Sequence, residues 1–331
     1  MQHCAIDLGG RKSQVCLRDA DGTIQFEGQW ATSTLGELFR ELPPCRVIVE
    51  TAAEAFRTAD LAKAAGHDVR VVPATLVRTL GVGARRTKND RRDAQVLSEV
   101  SSRIDLPSVH VPSPRSREWK TMTGVHDGLV SCRTKLINNV RGWLRGQGRK
   151  LAGGTATTFA MRVRSLGELP SYMEAELRAI DTLSIEIDLS EKRIAAAARA
   201  EPVCRRMMTV PGVGPSTAVR YVAALDVVAR FASAHKVEAY LGLSPGEKSS
   251  SQRQHKLGIT KAGPSSVRWV LIQAAWILKT RCRGEGARPL QGWATEVEKR
   301  RGKHVAIVAL ARKLAGILYA IWRDGTEFET R

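Results

Sequence analysis

Thr87-Lys88-Asn89-Asp90-Arg91-Arg92-Asp93-Ala94-Gln95 sets two carboxylates three residues apart inside a run of cations, Arg85, Arg86, Lys88, Arg91 and Arg92. The pattern predicts that a helix begins here. Residues three apart on a helix share a face, so Asp90 and Asp93 can address one point. Acids ringed by arginines suit a site that draws in phosphate and still holds a divalent cation. An N-capping Asp90 with a solvated first-turn Asp93, each paired with an arginine, would give the same local pattern. The chain's other acids separate the two readings.

Upstream, residues 3–9 predict a short strand ending at Gly9-Gly10, followed by strands at Gln14–Arg18 and Ile24–Trp30 across the turn Asp19-Ala20-Asp21-Gly22. Thr34–Leu42 predicts a helix closed by Pro43-Pro44. Arg46-Val47-Ile48-Val49-Glu50 is a β-branched run, as in a strand buried on both faces. A helix over Ala52–Ala65, stopped at Gly66, and a strand over Asp68–Val72 complete a mixed α/β sheet. Asp7 sits in the first strand and Glu50 ends the fourth. A carboxylate in an apolar strand costs several kcal/mol unless it is paired or metal-bound. Chemistry in open α/β sheets gathers at the carboxyl ends of strands. Carboxylates about 4 Å apart repel by about 4 kcal/mol at an effective dielectric of 20, so Asp7, Glu50, Asp90 and Asp93 together would need divalent cations. Oxygen-only ligands point to Mg²⁺.

Composition narrows the partners. The 331 residues carry a net charge of +19, with 43% hydrophobic, 26% charged and 5% aromatic residues. Such a positive excess favours phosphate backbone held by charge over base stacking and disfavours neutral small-molecule substrates. No apolar run of about 18 residues stands out, so a membrane partner is not expected. With no signal-peptide pattern, the expected location is the cytosol, on nucleoid DNA. The six cysteines are widely spaced, without Cys-x-x-Cys, and are expected to be reduced and mostly buried.

Past Ile104 the sheet signals stop, and a Pro-punctuated linker follows over Pro107–Pro114. Helix is predicted from Arg115 to about Lys150, broken at Gly146-Gln147-Gly148, with Arg133, Lys135, Arg141, Arg145, Arg149 and Lys150 placed either to follow a phosphate backbone or to form a solvated face. Ser171–Ala200 is a second long helix with Leu177, Ile180, Leu183, Ile187 and Leu189 at helical intervals, for a core or a coiled-coil partner. Pro211-Gly212-Val213-Gly214-Pro215-Ser216-Thr217 resembles the turn of helix-hairpin-helix modules, which implies phosphate contact at Gly212 and Gly214; an ordinary glycine turn is the alternative. A helix near Val237–Leu243 leads to a polar, basic loop, Ser244–Arg253. Helices then follow over about Ser265–Thr280 and His304–Arg323, with Lys299-Arg300-Arg301 just outside the last.

Ile6-Asp7-Leu8-Gly9, Val49-Glu50-Thr51-Ala52 and Asn89-Asp90-Arg91-Arg92-Asp93-Ala94 resemble the acidic motifs of the DEDD insertion-sequence transposases, a family that includes the Piv invertases. Gly242-Leu243-Ser244-Pro245, the serine cluster and Ile259-Thr260-Lys261-Ala262-Gly263 resemble its C-terminal domain. The resemblance implies a RuvC-like (ribonuclease H-like) domain over 1–106, an all-α connector over 107–200 and a mostly α transposase domain over 201–331. It implies a Mg²⁺-binding tetrad of Asp7, Glu50, Asp90 and Asp93, and a serine nucleophile. Ser250 is the choice, although the family's Ser-Gly pair is Ser250-Ser251 here, which leaves Ser249 and Ser251 open. The basic cluster at 85–92, with Arg253 and Lys261, is expected to contact nucleic acid. Donor and target DNA, a structured non-coding guide RNA and a homo-oligomer from dimer to tetramer are the implied partners. Two alternatives remain: a nonenzymatic nucleic-acid-binding protein, or an actin-like sugar kinase or ATPase suggested by Asp7-Leu8-Gly9-Gly10-Arg11-Lys12, which lacks the second phosphate loop such enzymes need.

Overall fold

The structure is a computed structural model that describes residues 1–79, 90–250 and 253–329, with side chains described except at 77–79, 90, 247–250 and 253–257. Two compact units divide the chain, Met1–Pro112 and Ser113–Arg331. The regions that the sequence reading separates at 200 and 201 thus fold into one unit.

The first unit runs β1 (His3–Asp7), β2 (Lys12–Arg18), β3 (Ile24–Ala31), α1 (Leu35–Glu41), β4 (Arg46–Glu50), α2 (Ala55–Ala64), β5 (Asp68–Val72), α3 (Ala74–Thr79) and α4 (Asp90–Arg103). The sheet order is β3-β2-β1-β4-β5. β1, β2 and β3 form an antiparallel meander, and β4 joins β1 and β5 in parallel, as a strand followed by a crossover helix requires. Alternation along the strands sends Cys4, Ile6, Val47 and Val49 to one face, where α1 and α2 cover them with Leu35, Phe39, Ala55 and Ala59. Ala5, Ile48 and Val72 go to the other, under Leu97 of α4 and Leu106. Burial of Val47, Ile48 and Val49 on both faces explains why that run lacks polar alternation.

The second unit runs α5 (Pro114–Gly146), α6 (Phe159–Arg164), α7 (Ser171–Ala200), α8 (Pro202–Met207), α9 (Pro215–Leu225), α10 (Ala234–Tyr240), β6 (Pro245–Ser250), β7 (Arg253–Ile259), α11 (Ser265–Thr280), α12 (Arg288–Arg301) and α13 (Lys303–Asp324). Ser113 caps α5 by accepting from Ser116 N–H, with Pro114 in the first turn, where its missing N–H costs nothing. Asp226, at φ 62°, accepts hydrogen bonds from Ser113 N–H and from the Ser113 and Ser116 hydroxyls, tying the end of α9 to the start of α5. α7 returns antiparallel along α5: Ile137, Val140 and Leu144 meet Met173, Leu177 and Ile180, while Trp119 shares a core with Ile194 and Ala198. The apolar stripe of α7 therefore finds its partner within the chain.

Two expectations are corrected. The stretch read as a polar loop from Ser244 to Arg253 enters an antiparallel hairpin, β6 with β7, in which Ser250 pairs with Arg253 and Ser249 with Gln254. An apolar run of membrane-spanning length does exist: α13 is long and apolar enough to cross a membrane by length and composition. Its Ile307, Leu310, Leu314 and Leu318 are buried with α9 and α11 in the core of this unit, which is why a 22-residue helix can be apolar on most faces. The basic run Lys299-Arg300-Arg301 is the last turn of α12. All six cysteines are free, four of them buried; burial pushes the Cys45 thiol up to about 11 and the Cys204 thiol up to about 12.

Candidate functional site

Asp7 and Glu50 end β1 and β4, one residue beyond the paired residues Ile6 and Val49. Neighbouring strands lie about 4.8 Å apart, so the two acids leave the sheet side by side. Asp7 alternates with Ala5 and Glu50 with Ile48, and Ala5 and Ile48 both face α4. Both acids therefore belong to the α4 side, and both are half-buried.

α4 is held on that face by Ala94, Leu97, Ser98 and Ser101, a buried stripe at helical spacing. Ser101 Oγ lies 2.8 Å from His3 Nδ1, and Ser98 Oγ lies 3.3 Å from Cys16 Sγ, whose residue pairs with Ala5. The helix consequently runs antiparallel to β1, its first turn rising toward the strand's carboxyl end. At about 1.5 Å per helical residue, Asp93 is about 12 Å along α4 from Ser101. At about 3.3 Å per strand residue, Asp7 is about 13 Å along β1 from His3. Asp93 precedes Leu97 by one turn, so it extends the sheet-facing side to the level of Asp7. Asp90 opens the same helix; its side chain lies outside the described ones. Among the described residues no three His, Cys, Asp or Glu side chains form a ready-made metal cage. The donor chemistry, carboxylate oxygens from two strand ends and a helix start, fits a hard divalent cation.

The basic residues of this region divide. Arg85, Arg86 and Lys88 lie outside the described residues. Arg92 is exposed on the first turn of α4. Arg91 donates to Glu27 Oε2 of β3 at 2.5 Å, and Gln95 donates to the other carboxylate oxygen at 2.6 Å. The Arg91 hydrogen bond holds the Glu27 carboxyl below its ordinary value. Nothing in the sequence marks Glu27 as the strand residue that receives this helix.

In the second unit the serine hairpin rises from a crossing of two backbones. Gly242 (φ 68°) follows α10, and a Cβ there would sit 2.0 Å from Ala262 O; a Cβ on Gly263 (φ 77°) would sit 2.0 Å from Tyr240 O. Only glycine at both positions allows this approach. Lys261 N–H donates to Gly242 O and Thr260 N–H to Ser244 O. Arg268 of α11 closes the knot, donating to Leu241 O at 3.1 Å, Ala262 O at 2.8 Å and Gly263 O at 3.0 Å. Lys261 itself adopts φ 57° beside this crossing. Ser249, Ser250 and Arg253 stand at the far end of the hairpin; their side chains and residues 251–252 lie outside the described ones. No sequence signal pointed to Arg268.

The turn before α9 has a packing reason for one of its glycines. A Cβ on Gly212 (φ 85°) would lie 2.6 Å from Ala274 O and 3.0 Å from Leu278 N, so the turn is pressed against α11. Gly214 has open space and stands as the N-cap residue of α9, with Pro215 next. Arg220, three per cent exposed, leaves α9 for Asp127 of α5, contacting both its carboxylate oxygens at 2.8 and 2.7 Å, with Thr123 O and Ser216 Oγ as further acceptors.

Comparison with known proteins places two family profiles on the chain. A DEDD transposase profile of the IS110 type matches residues 4–147, and the profile described as transposase IS116/IS110/IS902 family matches residues 204–291. A probable family 20 transposase of Pseudomonas aeruginosa is 30% identical, over 97% of this chain and 96% of its own length. The transposase for insertion sequence element IS1328 of Yersinia enterocolitica is 28% identical, over 98% and 97%. The transposase for IS1111A of Coxiella burnetii is 30% identical, over 72% and 67%.

Proposed function

The chain belongs to the IS116/IS110/IS902 family of insertion-sequence transposases, a DNA transposase, and from that premise we propose a site and a chemistry for strand exchange. The DEDD domain implies dependence on a divalent metal; Asp7, Glu50, Asp90 and Asp93 would hold it, and Mg²⁺ is the ion their oxygens suit. The observation that carries this is the arrival of Asp7, Glu50 and the Asp93 turn of α4 at one edge and on one face of the sheet. When bound, the ion supplies charge neutralisation at the scissile phosphate.

Ser250 is the nucleophile in this reading. Its hydroxyl oxygen forms a bond to the scissile phosphorus as the bond to one DNA oxygen breaks, and the serine proton ends on the departing oxygen. The phosphoserine ester keeps the bond energy, so a hydroxyl of the incoming strand can displace the serine without ATP. The crossing of Gly242 and Gly263, with Arg268 across it, fixes the base from which the serine hairpin projects. A structured guide RNA pairing with donor and target would choose the sites, the protein holding it by backbone and shape. Tetrad and serine would come from different protomers of a dimer or tetramer.

Recombination of a donor and a target plasmid tests the scheme, with and without the element's own non-coding RNA. Asp93→Asn should lower the yield at least about 100-fold, the scale of losing electrostatic stabilisation in a transition state, while DNA binding persists. Ser250→Ala should remove both product and covalent protein–DNA species. Wild-type yield from Ser249→Ala, Ser250→Ala and Ser251→Ala alike would refute a serine link, and site choice without RNA would refute only the guide.

A further inference from the structure

The 40 residues from 128 to 167 contain eight Lys or Arg and no Asp or Glu. They span the C-terminal half of α5, the turn beyond it and α6. Their cations are treated in two ways. Arg164 is neutralised between Glu174, at 2.8 Å, and Asp181, at 2.7 Å. Arg149 and Arg162 instead donate to main-chain carbonyls: Arg149 to Leu166 O and Glu168 O, Arg162 to Ala152 O and Thr155 O. A carbonyl fixes a guanidinium in place and leaves its net charge intact. Arg141 and Arg162 also lie over the Phe159 ring, 5.6 and 5.8 Å from its centroid. With Arg145 and Lys150 these three line a concave pocket of about 510 Å³ that has no carboxylate in its wall. The carboxyl end of α5 contributes roughly half a negative charge here, far less than five full cations.

We propose that this pocket at the end of the α5–α7 hairpin is a binding site for a phosphodiester backbone. Arg149 and Arg162 form its fixed walls, and Arg141, Arg145 and Lys150 are the solvent-exposed contacts. The inference rests on the transposition reading above and adds to it a grip on nucleic acid built from elements that carry neither the tetrad nor the serine. Five uncompensated cations facing one concavity attract a bent or crossed backbone more than an isolated phosphate, because each contact releases a condensed counterion.

Full-length protein carrying Arg141→Gln, Arg145→Gln and Lys150→Gln together tests it, since all three are exposed; a urea-unfolding midpoint equal to wild type confirms that losing the Arg141 contact with Phe159 leaves the fold intact. Affinity for a DNA duplex and for an RNA hairpin, both of arbitrary sequence, is measured against salt. Loss of three phosphate contacts should lower the slope of log K against log salt by about 2 to 3 for whichever polymer uses the pocket. A slope falling for DNA alone or RNA alone identifies the source; either supports the site. Arg193→Gln, Lys236→Gln and Arg283→Gln together remove the same charge elsewhere. Equal slope changes in the two variants, unchanged slopes, or no binding of either polymer by wild-type protein would overturn the proposal. Asp93→Asn separates it from the catalytic reading: that variant should bind both polymers normally and fail to recombine. If it recombined normally the catalytic scheme would fall, whatever the pocket did.

Discussion

Gly242 and Gly325 share nearly the same left-handed backbone, φ 68° and 69°, yet their surroundings are opposite. Gly325 ends α13 in open space, whereas a Cβ on Gly242 would strike the backbone of Ala262. Gly325→Ala should therefore cost only the left-handed strain, about 1 kcal/mol. Gly242→Ala must also push apart the chain segments that Arg268 bridges, and it should cost at least about 3 kcal/mol in urea unfolding. Similar losses at the two positions would show that the crossing relaxes freely. The Gly242-Leu243-Ser244-Pro245 motif was visible in the sequence through its resemblance to a family. Its physical reason, one backbone lying across another, was not, because a contact between residues twenty apart leaves no local pattern. The same limit applied to Gly212, where the turn reads like a phosphate loop but its Cα is pressed against α11.

Elements with strong periodicity were legible in detail. β4, β5, α7, α9 and α11 run as their residue patterns predict, since each carries either a continuous β-branched run or an apolar repeat at helical spacing. α12 escaped because Leu290 and Ala294 are its only buried residues, too few to raise a helical period above a charged background. The β6–β7 hairpin escaped because serine, lysine and glutamate there do not alternate with apolar residues. Pairing of α5 with α9 was also hidden, since Asp127 and Arg220 are 93 residues apart. Burial raises the Asp127 carboxyl, but the Arg220 hydrogen bonds and charge outweigh it and hold the pKa below its ordinary value. A depressed carboxylate stabilises the fold above its unfolded pKa, about 3.9, and that contribution fades as pH falls through the lower folded value. Asp127→Asn should thus destabilise the protein at pH 7. The expected loss is about 2 kcal/mol, under the 3–5 of a fully buried pair, because the Asp127 side chain is 46% exposed and solvent screens it. The gap to wild type should shrink below pH 4 in chemical denaturation; a constant gap would mean the pair is not what titrates.

At the scale of the molecule, each unit has its own core, so a ligand held wholly by one should stabilise that one first. All four acids proposed to hold the metal lie in Met1–Pro112, whereas the hairpin proposed to carry the nucleophile lies in Ser113–Arg331. A divalent ion held by these acids, as proposed, would join β1, β4 and the first turn of α4, so opening any of them would release it. At an ion concentration 100 times its dissociation constant, binding to the folded state alone adds about 2.7 kcal/mol. Hydrogen exchange on the full chain with and without Mg²⁺ should show slower exchange in β1, β4 and α4, and no change in the buried α9 and α13. Asp7→Asn would remove one proposed ligand and the charge that draws the ion in, so the difference should vanish while the pattern without Mg²⁺ stays as in wild type. Protection appearing equally in both units, or surviving Asp7→Asn, would place the ion elsewhere than at the carboxyl ends of β1 and β4.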